Sequence, residues 1–303
     1  LAEWQSFWAS SFIAIPDGYV ENIWHYILYL NQSSSRGRYP PHFINGLWNF
    51  NQDFMPWANY FHWNMQNYTW SLHPGNHAEL AMPYLNYRFR QLPLARRYAR
   101  KFKDKDGAFY ADVADRRGYN SRQVGNNNTP GSQIALLFWK HYRFTGDTDF
   151  LAEKAWPVIR EAARYYADLA VLEADGRYHV HNTQTYEGSP LFDDAVTDLA
   201  MIKALFPVAL QAAALVGYAG EELDLWRTIA ARCADFKTVP LEQEEYEERD
   251  GVKYLAAGIG KGQPCLSDQV FAGGKYRTLE GVDEQSDNTA GVPDYVAASV
   301  KGS

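Results

Sequence analysis

The sequence predicts a mainly α-helical fold, a toroid of helix pairs whose longer loops gather on one face. Three observations carry this. Apolar residues recur with a helical period through most of the first 236 positions. Helices are joined alternately by short turns and by long connections, as expected of stacked helix pairs that build one working surface. Those long connections hold Trp, Tyr, His and Asn in place of Ser/Gly/Glu filler, which favours a functional role over disorder.

The elements follow in order. Gly18 to Gln32 sets Val20, Ile23, Trp24, Ile27, Leu28 and Leu30 along one broad face. Asn76 to Arg90 repeats the pattern with Leu80, Met82, Tyr84, Leu85 and Phe89. Ser132 to Phe144 is a third helix, stopped by Thr145-Gly146 and followed at once by Asp147, a start signal. The next helix runs from Asp149 to Leu172 with a kink at Pro157. Ala195 to Val216 is apolar nearly all round, which predicts an inner, buried helix; Glu221 to Phe236 is its amphipathic successor. The long connections are Ser33 to Met55, Gly107 to Gly131 and Tyr178 to Asp194. Past Val239 the pattern fades. Glu242 to Asp250 is an acidic run suited to a solvated face, and the Gly-rich stretch from Leu255 to Ser303 predicts short strands or loops. The whole of 1–303 reads as one partial domain, truncated at both ends of a longer parent.

With 46% hydrophobic and 21% charged residues, the 303-residue chain can bury a sizeable core. Its unusual figure is 16% aromatic, from 10 Trp, 21 Tyr and 16 Phe. Such rings suit walls that meet sugars or aromatic ligands, and they equally fill large helical cores. A net charge of -7 and the lack of a long Lys/Arg run argue against nucleic acid and against an anionic membrane surface as partners. The longest apolar stretches read as far short of a bilayer span. Cys233 and Cys265 are the only cysteines; without CxxC or a Cys/His cluster, neither a zinc site nor a disulfide framework is predicted, while one bridge between the two stays open. No Walker loop and no G-x-G-x-x-G after a strand is present, and Ser189 lacks the G-x-S-x-G context. No metal and no cofactor is assigned.

Two segments could carry chemistry. Tyr60 to Trp70 presents His62, Asn64, Gln66 and Asn67 beside Trp63, Tyr68 and Trp70. Neutral amides can orient a sugar hydroxyl or a water, and rings cover apolar sugar faces, although a loop capped by Asn side chains reads the same way. His179 to Pro190 carries Glu187 as a lone carboxylate among uncharged and aromatic residues, with His181 close by. Burial there would raise its pKa and keep it protonated, as a general acid needs; a surface-loop carboxylate is the plainer alternative. Asp198, after Thr197 at the start of the buried helix, is either a cap or a pocket carboxylate, with capping the ordinary role. Asp193 and Asp194 suit the dipole of that helix. Trp48 and Asn49, in Asn45-Gly46-Leu47-Trp48-Asn49, could line a sugar site or simply pack a turn.

The order of segments adds what single motifs lack. Phe7-Trp8, Pro16-Asp17-Gly18-Tyr19, Glu21-Asn22-Ile23-Trp24, Ser33-Ser34-Ser35-Arg36-Gly37 and Pro40-Pro41 resemble the opening of the family 95 glycoside hydrolase barrel. Gly46-Leu47-Trp48-Asn49, the Tyr60 to Trp70 segment, Leu137 to Asp147, and Thr185 to Pro190 followed by Thr197 to Phe206 extend the resemblance across Trp4 to Phe236. It implies an incomplete (α/α)6 toroid of the six-hairpin glycosidase type that removes terminal α-L-fucose or α-L-galactose from oligosaccharides or polysaccharide side chains, with inversion. Glu187 then matches the family's Ser-Pro-Glu general acid, with Thr185-Tyr186 standing where Ser-Pro would be. Asn64 falls on the second of two water-holding asparagines and His62 on the first. The family's downstream Asp would lie past Ser303. Trp48, Asn49, Trp63, Gln66, His181 and Asp198 are the substrate-binding candidates, and the implied location is extracellular or periplasmic. The competing readings are a catalytically inactive sugar-binding toroid and another toroid glycosidase of different sugar specificity.

Overall fold

Asp17 opens the first long helix by accepting hydrogen bonds from the backbone N–H groups of Tyr19 (2.9 Å) and Val20 (3.2 Å). These satisfy donors that every helix start leaves over. In a computed structural model this helix, α2 (Gly18–Ser34), follows a short α1 (Ala2–Ala9) that carries no periodic signal in the sequence. The structure describes residues 2–35, 37, 39–41, 64–111, 114–115, 117–119, 125–184, 191–236, 246–249, 252–255 and 277–278. Leu28 of the predicted α2 face is buried, but Val20 and Ile23 are 47% and 39% exposed. The face is therefore only partly covered, chiefly around α1, where Trp4 stacks on Tyr29 at 5.5 Å.

Helix α3 (Asn64–Trp70) leads through a turn to a 3-10 segment (Ala78–Ala81) and α4 (Met82–Tyr98), which a π turn (Ala99–Lys103) extends. The predicted start at Asn76 and end at Arg90 are both corrected. Asn76 sits at φ 59, outside helical space, and the helix runs on through Pro93. Helix α5 (Thr129–Thr145) begins three residues before its predicted start, so the last residues of the supposed 107–131 loop are helical. It ends on Gly146 at φ 67. Asp147 then accepts from the Phe150 N–H at 2.8 Å and starts α6 (Thr148–Phe150). A π turn (Leu151–Ala155) precedes α7 (Trp156–Leu169). Pro157 therefore lies in the first turn of α7, directly after the π turn, so the helical run changes its winding where the kink is expected.

The predicted helix does not reach Leu172. Val171–Leu172 (β1) instead pairs antiparallel with Tyr178–His179 (β2). The 178–194 connection is also more structured than a loop, since β3 (Thr183–Gln184) and β4 (Leu191–Phe192) form an antiparallel hairpin base. Helix α8 (Val196–Leu215) follows, then α9 (Glu222–Arg232). α9 stops before Phe236 because Cys233 bridges to Tyr178 and the Ala234 N–H donates to the Tyr178 carbonyl at 3.0 Å. Cys233 is buried, and no disulfide joins it to another of the described residues. In the C-terminal part, β5 (Tyr246–Arg249), β6 (Val252–Leu255) and β7 (Arg277–Thr278) form one antiparallel sheet, so part of the acidic run is a strand.

Helix α8 packs on α5, α7 and α9. Leu199, Met201, Ile202, Leu205 and Phe206 are fully buried there, each burial favouring the fold by roughly 1.5–3 kcal/mol. Contrary to the expectation that no apolar stretch nears a bilayer span, α8 is long and apolar enough to cross one by length and composition. Its burial against three neighbours gives the apolar surface another explanation.

Side-chain contacts fix the helix directions. Tyr166 near the end of α7 bonds Asp198 near the start of α8, and Tyr165 bonds Asn128 just before α5. α5 and α8 are thus parallel, with α7 antiparallel to both. Near the other end of α5, Lys140 donates to the Trp70 carbonyl at 3.1 Å and His141 meets His73. The end of α3 therefore lies beside the end of α5.

Candidate active site

The N-terminal ends of α5 and α8, the end of α7 and the β3–β4 hairpin converge on one buried polar layer. Asn127 Oδ1 accepts from the Thr129 N–H (3.2 Å) and hydroxyl (2.8 Å), which starts α5. This frees Asn128, whose Oδ1 accepts from the Tyr165 hydroxyl at 2.7 Å. Gly107 lets the preceding loop lie against α7: at φ 76, an added Cβ would sit 2.3 Å from the Tyr165 nitrogen.

Asp198 is at the centre. It is the third residue of α8 and fully buried, and it does not cap the helix; Ala195 holds the cap position without a side-chain bond. Asp198 Oδ1 accepts from the Tyr166 hydroxyl at 2.7 Å, whereas Oδ2 is sealed without a well-formed hydrogen bond. Burial pushes its pKa up to about 6, against the Tyr166 and Thr183 hydroxyls and the Lys103 charge, which favour the anion. Ser132 Oγ and Thr197 Oγ1, at the same helix ends, are likewise buried without a well-formed bond. Burial and then the neighbouring Asp198 hold the hydroxyl pKa values of Tyr165 and Tyr166 far up.

The hairpin is tied down on both sides. Gln184 and Asn126 bond reciprocally, N–H to carbonyl at 3.1 Å and N–H to Oε1 at 3.2 Å, and Lys103 Nζ donates to Asn126 Oδ1 at 3.1 Å. At the root, Asp194 Oδ1 accepts from the Val180 N–H and Asp194 Oδ2 lies 2.9 Å from His179 Nδ1. Burial disfavours a charged His179, but Asp194 and Asp175 outweigh it and the pKa is raised. His181, partly exposed, contacts Glu173 (2.8 Å) and Asp193 (3.2 Å). Asp193 and Asp194 thus act on hairpin groups as well as standing near the helix start. Among the described residues, no group of three or more His, Cys, Asp or Glu side chains is arranged to hold a metal ion.

The sequence candidates fall as follows. Asp198 and His181 flank the hairpin root at different depths, one sealed and one open. Gln66 is buried in α3, bonded to Tyr84, which in turn accepts from the buried Arg88 at 2.9 Å. Asn64 opens α3 at the backbone level. Glu187, His62, Trp48, Asn49 and Trp63 lie outside the described residues; by chain connection, Glu187 sits between β3 and β4. The sequence reading missed Tyr165, Tyr166, Asn128, Ser132 and Lys103. A Tyr pair on an amphipathic helix looks like ordinary core, and Asn126-Asn127-Asn128 reads as a plain polar loop before a helix.

Comparison with known proteins places this geometry in context. The chain is similar to kojibiose hydrolase of Mucilaginibacter mallensis, 29% identical over 148 residues, covering 46% of this chain and 21% of that protein. It is similar to alpha-L-fucosidase 2 of Arabidopsis thaliana, 26% identical over 230 residues, covering 70% of this chain and 27% of that protein. The chain thus spans only about a quarter or less of these relatives' lengths. A solved structure provisionally named a kojibiose phosphorylase, from the human microbiome, aligns with a TM-score of 0.57 at 13% identity over 70% of this chain and 33% of that one. That likeness supports the helical toroid fold. The family model of the glycosyl hydrolase family 95 catalytic domain matches residues 15–245.

Proposed function

Because the chain belongs to the glycosyl hydrolase family 95 catalytic domain, we propose that it supplies the acid-bearing part of an inverting exo-glycosidase that releases terminal α-L-fucosyl or α-L-galactosyl residues from glycans. The observation that carries this reading is the convergence of the starts of α5 and α8 with the β3–β4 hairpin, within which Glu187 falls in the chain. Inverting cleavage needs a proton donor on one side of the bond and a held water on the other, separated by room for that water. Glu187 is the proposed acid. Asn64 and His62, at the start of α3 and just before it, are the proposed water-holding groups, reached from a different element than the hairpin. Trp48, Asn49 and Trp63 are proposed to shape the sugar site. We place the enzyme outside the cytoplasm, where such glycans are met.

A second reading has its own support. His62 departs from the family's asparagine, and one relative is named kojibiose hydrolase, so an α-glucoside is the alternative substrate class. The full-length protein containing this chain should be assayed on aryl α-L-fucoside, aryl α-L-galactoside and kojibiose, with Glu187→Gln as control. The first reading expects fucoside or galactoside turnover, with a fall of about 10²–10⁴-fold in Glu187→Gln on sugar-linked substrates, whose poor leaving groups need the general acid. Turnover of kojibiose alone would move the assignment to α-glucosides. Sugar binding without turnover would identify an inactive toroid.

A further inference from the structure

We propose that His179 is a pH-sensitive strut, its imidazole tying the turn between β1 and β2 to the entrance of α8 only while both ring nitrogens carry protons. Counting donors shows why. His179 Nδ1 lies 2.9 Å from Asp194 Oδ2, and Nε2 lies 3.1 Å from Asp175 Oδ2. A neutral imidazole has one N–H, so one of the two carboxylates would face a ring lone pair at hydrogen-bond distance. The imidazolium has two and satisfies both. His181 repeats the arrangement, with Nε2 2.8 Å from Glu173 Oε1 and Nδ1 3.2 Å from Asp193 Oδ1. The two rings lie 16° from parallel with centroids 6.4 Å apart. Two imidazoles thus stand between Glu173 and Asp175 on one side and Asp193 and Asp194 on the other.

Both anchors are fixed by their own backbone bonds. Asp194 sits at φ 55, a conformation uncommon outside glycine. Its N–H donates to the Val180 carbonyl at 2.7 Å and its Oδ1 accepts from the Val180 N–H at 3.1 Å, with Oδ2 turned to the ring. On the turn, Asp175 Oδ1 accepts from the Arg177 N–H at 2.9 Å, with its Oδ2 likewise on the ring. Carboxylates gathered this closely repel one another unless cations stand between them. Deprotonating His179 removes a charge-assisted bond and a positive charge in one step. The charged groups facing His179 are Asp175 and, at 3.9 Å, Glu173 on the turn, and Asp194 before α8. Arg177 pairs with Asp235 at 3.1 Å, and burial pushes the nearby Cys233 thiol up to about 11. With its folded pKa raised above the ordinary 6.5, His179 supports the joint fully below 6.5 and lets go as pH rises through the raised value.

The test uses the full-length protein with histidine carrying carbon-13 at Cε1, His179 being assigned by the signal lost in His179→Gln. Its NMR titration should have a midpoint above 6.5; a midpoint at or below 6.5 overturns the strut. Hydrogen exchange of peptides spanning 171–181, corrected for intrinsic rates, reads the consequence in the backbone. In the wild type, protection should fall by about tenfold between pH 6 and pH 9, the weight of one charge-assisted hydrogen bond. Asp175→Asn changes an exposed turn position. Its amide can accept from an N–H or donate to a bare ring nitrogen, so the bond survives deprotonation and the fall should shrink. An equal fall in wild type and Asp175→Asn overturns the strut, and so does exchange in the wild type that ignores pH. Neither readout involves Glu187 or turnover, so failure of the glycosidase reading would leave the strut standing, and the reverse.

Discussion

The two ends of α5 both bury titratable groups, yet they treat them in opposite ways. At the start, Asn128 and Ser132 lie in the polar layer around Asp198, where burial raises a carboxyl to about 6. At the finish, His141 Nδ1 meets His73 Nε2 at 3.0 Å, and burial lowers both rings, His73 to about 4. Aromatic neighbours enclose that pair, Phe150 at 4.5 Å from His141 and Phe144 at 5.6 Å from His73. Burial disfavours the charged form at each end, raising the acid and lowering the bases. The difference lies in what is left over. The far end leaves one buried nitrogen, His73 Nδ1, without a well-formed bond, whereas the near end leaves three oxygens, one on a carboxyl group. The far end is a packing joint; the near end is polar beyond what packing requires, and it abuts the hairpin.

The sharpest way to break this comparison is through pH, because the two ends carry opposite signs. Asp198 has a folded pKa above its ordinary 3.8, so its contribution is full below 3.8 and is lost as pH rises through about 6. The full shift corresponds to about 3 kcal/mol, and Asp198→Asn should therefore be more stable than wild type at pH 8 by up to that amount and nearly equal to it at pH 4. Urea unfolding at both pH values measures this; a variant less stable at pH 8 would show that the charge is favourable where it sits.

His73 works in the other direction. Its folded pKa lies below the ordinary 6.5, so the folded state is fully favoured above 6.5 and loses ground as pH falls toward about 4. His73→Phe should flatten the acid limb of stability by at most about 3 kcal/mol, less the bond lost to His141. An unchanged acid limb would mean that the pair is already protonated or solvated. The smallest effect is expected away from both ends. Arg160 and Glu222 join α7 to α9 at 2.8 Å but remain partly exposed, so Arg160→Ala should cost under about 1 kcal/mol, and salt should erase the difference.

How much of this was legible depended on range along the chain. α2, α5 and α8 were readable because their apolar period, and the Gly146 stop of α5, are local. α4 was cut short in the reading because Pro93 and the charged run after it mask the period, although the helix continues. β1 to β4 are two-residue strands, too short for alternation to register. Asp198 could be flagged as a cap or pocket carboxylate, but Tyr166, its partner, lies 32 positions away and reads as core. The His73–His141 pair, 68 positions apart, left no local trace at all. Glu187 stands as a candidate from its uncharged neighbourhood and from the order of motifs, neither of which periodicity carries, and it lies outside the described residues.

We propose that an acid on the hairpin works opposite a water held from the start of α3. That arrangement is tested most directly by the anomer first released from an α-L-fucoside by the full-length protein, followed by proton NMR before mutarotation. The account predicts β-L-fucose from the wild type and a loss of that signal in Glu187→Gln. Release of the α anomer, or an undiminished signal in Glu187→Gln, would contradict it.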